Sequence, residues 1–149
     1  PKIYGEDTEI DVLMIDQTGI YIFEAKNHSG TIMGNWSDDK LTIRYKSGQE
    51  YIFDNPVLQN SNHYKHLQSI SSLNHYYFHN IVVLGQSTYY QKEDLRTLPS
   101  YGNVTTIYNI EKTIAYIQKK KNLVISQSEQ DSISQMIKEF ISDENNLVL

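Results

Sequence analysis

The chain has 149 residues, 39% of them apolar and 21% charged, a composition that suits one soluble globular domain with a core of its own. It holds no apolar run of the roughly 18 residues that a membrane span needs and no signal-peptide pattern, so the expected compartment is the cytoplasm. Cysteine is absent, which removes disulfides and thiolate metal sites. A net charge of -5 argues against a strong sequence-independent grip on nucleic acid, while leaving room for a phosphodiester held through a bound cation.

Val12 to Ile15 and Ile20 to Ala25 read as apolar strands joined by Asp16-Gln17-Thr18-Gly19, whose glycine suits a tight hairpin. "GTIMGNWSDDKLTIRYKSGQEYIF" continues as short strands punctuated by Gly and Asp, so the chain opens as a β meander. At Asn55-Pro56 the period changes: Asn is a good N-cap, Pro is pre-organised for the first helical position, and a helix to about Tyr77 is expected. "NIVVLG" and "VTTIY" read as strands, separated by "QSTYYQKEDLRTLPSYGN", a loop with room for one helical turn. Helical spacing returns from about Ile110 to Lys121 and from about Glu129 to Ser142. The order of strands, helix, strand, strand and helices predicts an α/β or α+β domain with a mixed sheet.

The hairpin has an unusual feature. If Asp16 faces Gly19, Asp11 falls opposite Glu24 and Glu9 opposite Lys26, all on one face. Directly opposed residues have Cβ atoms about 4.5 to 5.5 Å apart, and like charges there are destabilising. Two readings stand open: the acids pair with Lys26 or face solvent, or both carboxylates hold a divalent cation with Lys26 beside it. Val, Leu, Met, Ile, Tyr and Phe flank the charges on both alternations, which weighs against a wet face. On the helix from Asn55, Gln59, His63 and His66 share one face, and Ile70, Leu73 and Tyr77 continue that stripe. The first turns should therefore aim polar groups at the sheet. His63, His66, His75 and His79 show no compact zinc-ligand spacing. Tyr76-Tyr77 and Tyr89-Tyr90 offer rings for stacking on bases, although core packing is the commoner use.

Taken together, "TEIDVLMIDQTGIYIFEAKNHSGTIMG", Trp36 and "NPVLQNSNHYKHL" resemble the NERD (nuclease-related) domain of the PD-(D/E)xK restriction-endonuclease-like superfamily, over about residues 5 to 85. The resemblance implies a mixed central sheet flanked by helices. Asp11 matches the first acidic motif, Glu24-Ala25-Lys26 the (D/E)xK tripeptide, Gln59 the helix glutamine and His63 its companion. It further implies a nuclease in which Asp11, Glu24 and the Ala25 carbonyl bind Mg²⁺ or Mn²⁺, Lys26 orients or deprotonates water, and Gln59 positions water or phosphate. Glu9, Asn27 and His63 are the accessory or nucleic-acid-contacting candidates. The expected partner is nucleic acid, DNA ahead of RNA; the runner-up is a non-catalytic nucleic-acid-binding or regulatory module with the same fold. Oligomeric state is open. Superfamily members commonly place a helix before the first strand, but only eight residues precede Glu9, so the expectation is one domain over residues 1–149 in which that helix is either absent or very short, with room for a missing upstream segment.

Overall fold

The computed structural model describes residues 2–3, 8–85, 87–90 and 105–140. Two short strands, β1 (Lys2–Ile3) and β2 (Thr8–Glu9), form an antiparallel ribbon. The hairpin of β3 (Val12–Asp16) and β4 (Gly19–Lys26) follows in the expected register, with Val12 opposite Phe23 and Asp16 opposite Gly19. Asp16 stabilises the turn by accepting from the Thr18 N–H at 2.7 Å. Gly19 takes a φ of +148°, and a Cβ there would meet the His79 ring at 2.7 Å and the Tyr77 carbonyl at 2.8 Å. Glycine is required on both counts.

The ladder ends at Val12, which corrects one expectation: Glu9 lies opposite Lys2 in the ribbon, not opposite Lys26. A bend at Asp11 separates the two pairings.

The meander then leaves for a second sheet. Strands β5 (Gly30–Met33), β6 (Lys40–Arg44) and β7 (Glu50–Asp54) pair antiparallel in sequence order. Helix α1 (Pro56–Ser71) carries the chain back to β8 (Phe78–Leu84), which runs parallel to β4. Next come β9 (Thr88–Tyr90), β10 (Thr105–Asn109), α2 (Ile110–Lys119) and α3 (Gln127–Phe140). The central sheet has the order β10-β8-β4-β3 and the second sheet β7-β6-β5-β9. This mixed α+β architecture agrees with a restriction-endonuclease-like fold. Residues 88–90, expected in a loop with a helical turn, instead form a strand on the edge of β5; residues 86 and 91–103 of that loop, and Val104 of the strand expected after it, lie outside the described residues.

Capping chemistry explains the helix boundaries. Asn55 accepts from the Val57 N–H at 2.9 Å and donates to the carbonyls of Trp36 and Asp38, tying the start of α1 to the second sheet. The helix stops at Ser71, short of Tyr77, because Ser72 turns to φ +55° and closes on the Gln68 carbonyl. Asn74 then caps a separate 3-10 turn at His75–Tyr77 by accepting from Tyr76 N–H. Leu73, in the connection, and Tyr77, in this turn, pack against the core from outside the helix. Helix α3 begins at Gln127, two residues early, behind a reciprocal box in which Ser126 and Glu129 each bond the other's backbone N–H.

Alternation along β4 divides the core. Ile20 and Ile22 pack with Leu13, Ile15, the α1 residues Tyr64 and Leu67, and the α3 residues Ile133 and Ile137. Tyr21 and Phe23 face the other way, against Ile81 and the partly buried Tyr116 and Ile117 of α2. A third cluster, including Trp36, Leu41, Ile43, Val57 and Val82, joins the second sheet to α1 and β8. Among the described residues no helix is long and apolar enough to cross a membrane.

Candidate active site

The alternation that buries Ile20 and Ile22 against α1 continues to Glu24 and Lys26, at the carboxyl end of the parallel pair β4 and β8. Such strand ends are where open α/β sheets hold ligands. Glu24 is buried, and its Oε1 lies 3.4 Å from Nζ of Lys26, whose side chain is 24% exposed. The ammonium thus links a carboxylate inside the protein to the surface.

Asp11 arrives by a different route. Where β3 bends out of its ladder, Asp11 Oδ2 accepts from the Ala25 N–H at 2.8 Å, so a side chain substitutes for the missing strand backbone. This bond sets the exposed Asp11 carboxylate beside the residue that follows Glu24. It also identifies the edge of β4 on which the Ala25 backbone groups lie, because the Lys26 carbonyl is turned the other way to accept from the Gly85 N–H.

Helix α1 supplies the roof. Asn60, fully buried, donates from Nδ2 to the Ile22 carbonyl at 3.0 Å and more weakly to that of Ile81 at 3.5 Å, docking the helix across β4 and β8. The deepest face of α1 runs through Val57, Asn60, Ser61, Tyr64 and Leu67. Gln59, His63 and His66, expected to form the sheet-facing stripe, lie on its flank, and of these His63 is buried. His63 Nδ1 stands 3.7 Å from Glu24 Oε2, too far for a hydrogen bond. Burial pushes the His63 pKa below the usual histidine value, with Asp11 opposing the shift, so this contact is not an ion pair at neutral pH. Gln59 Oε1 and His63 Nδ1 are both shielded from solvent and make no hydrogen bond among the described residues. Two acceptor-capable atoms therefore sit under the helix with unused capacity.

The structure thus brings Asp11, Glu24, Ala25 and Lys26 together and sets His63 over Glu24. Asn27 is exposed on the rim of a cleft of about 390 Å³ at the strand ends, which Lys26, Gly85, Ser87 and Ile110 also line. A Cβ on Gly85 would fall on the Asn27 side-chain oxygen, so any larger residue there would turn the exposed Asn27 side chain aside. Glu9 belongs to β2, and its side chain lies outside the described residues. Asn60 and Ser87 were not singled out from the sequence. The signal for Asn60 was its place in the spacing Val57, Asn60, Tyr64, Leu67, a polar residue on an apolar stripe.

The donor set fits a hard cation. Asp11 and Glu24 offer carboxylate oxygens and Ala25 a backbone carbonyl, and no group of three or more acidic or imidazole ligands occurs among the described residues. Mg²⁺ is commonly held in this way, by one or two carboxylates with water and substrate phosphate completing its shell.

A family model for the nuclease-related domain, NERD, matches residues 1–85. An uncharacterized protein of Bacillus anthracis is 38% identical over 73 residues, which make up 47% of this chain and 31% of that protein. The match therefore spans about a third of that relative's length. No solved structure matches.

Proposed function

Since the chain belongs to the nuclease-related domain family, we propose that it is a Mg²⁺- or Mn²⁺-dependent nuclease that hydrolyses phosphodiester bonds of nucleic acid, DNA in preference to RNA. The observation that carries this reading is the bond from Asp11 to the Ala25 N–H, which brings a second carboxylate to the buried Glu24 and its lysine.

Asp11, Glu24 and the Ala25 carbonyl hold the cation, which when bound polarises the scissile phosphate and eases ionisation of the attacking water. Lys26 donates toward that water or a non-bridging phosphate oxygen, a positioning role that suits an ammonium already anchored by Glu24. Gln59 accepts a hydrogen bond from the water through its unused Oε1, fixing the direction of attack. His63, held neutral by burial, adds a second acceptor without adding charge beside the cation. Asn27 contacts substrate at the rim of the cleft.

A nucleic-acid-binding module without turnover is the second reading. It is favoured by the Lys26–Glu24 contact, which engages the lysine within the protein. Labelled single- and double-stranded DNA and RNA, incubated with Mn²⁺, Mg²⁺ or EDTA, separate the two. Metal-dependent cleavage that disappears in Glu24→Ala supports the nuclease. Binding that weakens with salt, with no cleavage under any metal, refutes it in favour of the module.

A further inference from the structure

The second sheet carries a row of side chains that the candidate active site does not use. Thr31 on β5 is paired with Tyr89 on β9 and with Arg44 on β6, so the three stand side by side on one face. All three are exposed, Tyr89 at 64%, whereas Ile32, Ile43 and Tyr90 one position along turn inward and pack with Trp36 and Leu41. The period of two thus splits the Tyr89-Tyr90 pair into one core ring and one solvent-facing ring.

This row lines a cleft of about 750 Å³, together with Tyr45, Lys46 and a set of serine hydroxyls. One of those serines, Ser87, also lines the 390 Å³ cleft that holds Lys26 and Asn27. Ser87 therefore stands on the wall of both depressions, between the end of β4 on one side and Tyr89 and Lys46 on the other. The chemistry of the two clefts is uniform. Among the described residues, Lys26, Arg44 and Lys46 are their charged lining residues and none of the lining is a carboxylate, although the chain as a whole carries -5. Glu50 does hold Arg44, through Nε at 2.8 Å and Nη2 at 2.7 Å, which fixes one edge of the guanidinium. An arginine has further N–H donors beyond those two.

Cations and hydroxyls at the wall of a cleft suit phosphodiester oxygens, and an exposed phenol ring suits the face of a base. A ring can stack only on a base whose face is open. Bases inside a duplex already cover one another, so the combination selects an unpaired strand. We infer that the two clefts form a track for single-stranded nucleic acid, with Tyr89 stacking on a base, and Arg44 and Lys46 contacting the backbone of a strand that leads to Lys26. The inference rests on the nuclease reading for what happens at the Lys26 end, whereas binding along the track does not require turnover.

The test is fluorescence anisotropy of labelled oligothymidylate, oligouridylate and a blunt DNA duplex with the full chain in EDTA, alongside cleavage of the same probes with Mg²⁺ or Mn²⁺. The single strands should bind more tightly than the duplex, and the two single strands tell DNA from RNA. Tyr89→Ala should weaken single-strand binding about 5- to 100-fold, while Tyr89→Phe, which keeps the ring, should bind like the parent. Lys46→Ala should lower the slope of log affinity against log salt by about 0.7. Both side chains are exposed, and unchanged melting curves verify that the variants fold. Equal or tighter binding of the duplex, no binding at all, or a Tyr89→Ala protein within about twofold of the parent overturns the track. Binding as expected without any cleavage sinks the nuclease reading and leaves the track standing. Cleavage unaffected by Tyr89→Ala does the reverse.

Discussion

Asn60 is the residue through which the sheet positions the helix, and its removal gives a measurable double consequence. Its side chain is fully buried and its Nδ2 reaches the Ile22 carbonyl at 3.0 Å, while its Oδ1 has no partner among the described residues. Losing one net hydrogen bond costs about 1 kcal/mol. The unfilled space left by Asn60→Ala adds about another 1 kcal/mol, because the surrounding side chains relax only in part. The sum of about 2 kcal/mol corresponds to a fall in Tm of about 4 to 8 °C for a chain of this size. Asn60→Leu refills the volume and removes the unpartnered oxygen, so it should cost less than Asn60→Ala. Urea denaturation followed by far-UV circular dichroism measures both. Cleavage should suffer more than stability does: Gln59 precedes Asn60 and His63 follows it by one turn, and a displacement of about 1 Å at a positioning residue can cost about 100-fold in rate. A change below about 0.5 kcal/mol in Asn60→Ala, or a leucine variant less stable than the alanine one, would refute this account of how α1 is docked.

Burial holds the pKa values of both His63 and His79 below the ordinary histidine value, the Thr18 carbonyl opposing the shift at His79. The unfolded chain therefore takes up these protons first: stability is full above about pH 6.5 and declines as pH falls toward the folded-state values, by at most about 1.4 kcal/mol per pH unit per histidine. His79→Phe keeps a ring against Tyr21, which His79 stacks on at 4.4 Å, and should flatten part of that decline in urea titrations from about pH 7 to 5; an unchanged slope counts against the assignment. Gly19→Ala places a Cβ against the His79 ring at a positive φ and should cost at least about 2 kcal/mol, and a melting temperature equal to the parent's would mean that the hairpin end is looser than described. Magnesium at about ten times its dissociation constant should add about 1.4 kcal/mol to the unfolding free energy in calorimetry. An undiminished gain in Asp11→Ala would remove Asp11 from the proposed metal site.

The hairpin register was legible because a period of two and a closed turn leave few alternatives, and Asp16 opposite Gly19 propagates without error to Val12 opposite Phe23. It fails beyond Val12, so that Glu9 pairs with Lys2, because the chain bends at Asp11, whose side chain reaches the Ala25 N–H across the gap, and strand periodicity does not encode this. The end of α1 misled for a local reason. Leu73 and Tyr77 continue a helical stripe, but Asn74 offers its own side chain to Tyr76 N–H and so competes with the helix. The extension of the second sheet by β9 rests on its pairing with β5, a contact between segments far apart in sequence that local periodicity does not reveal. Of the candidate site, the acids and lysine stood out as charges among apolar residues, whereas Asn60 did not, since an asparagine beside Gln59 reads as ordinary helix polarity until the helix is docked.

The Ala25 N–H is held by a carboxylate and not by a neighbouring strand. Its exchange with deuterated solvent is therefore governed by the position of one side chain, while the amides of the β3–β4 ladder await local unzipping. That makes Ala25 a built-in reporter. Asp11→Asn keeps an oxygen acceptor for this amide and removes the charge, whereas Asp11→Ala removes both, so the protection of a single proton distinguishes a strand end that has come loose from a site that has only lost its electrostatics.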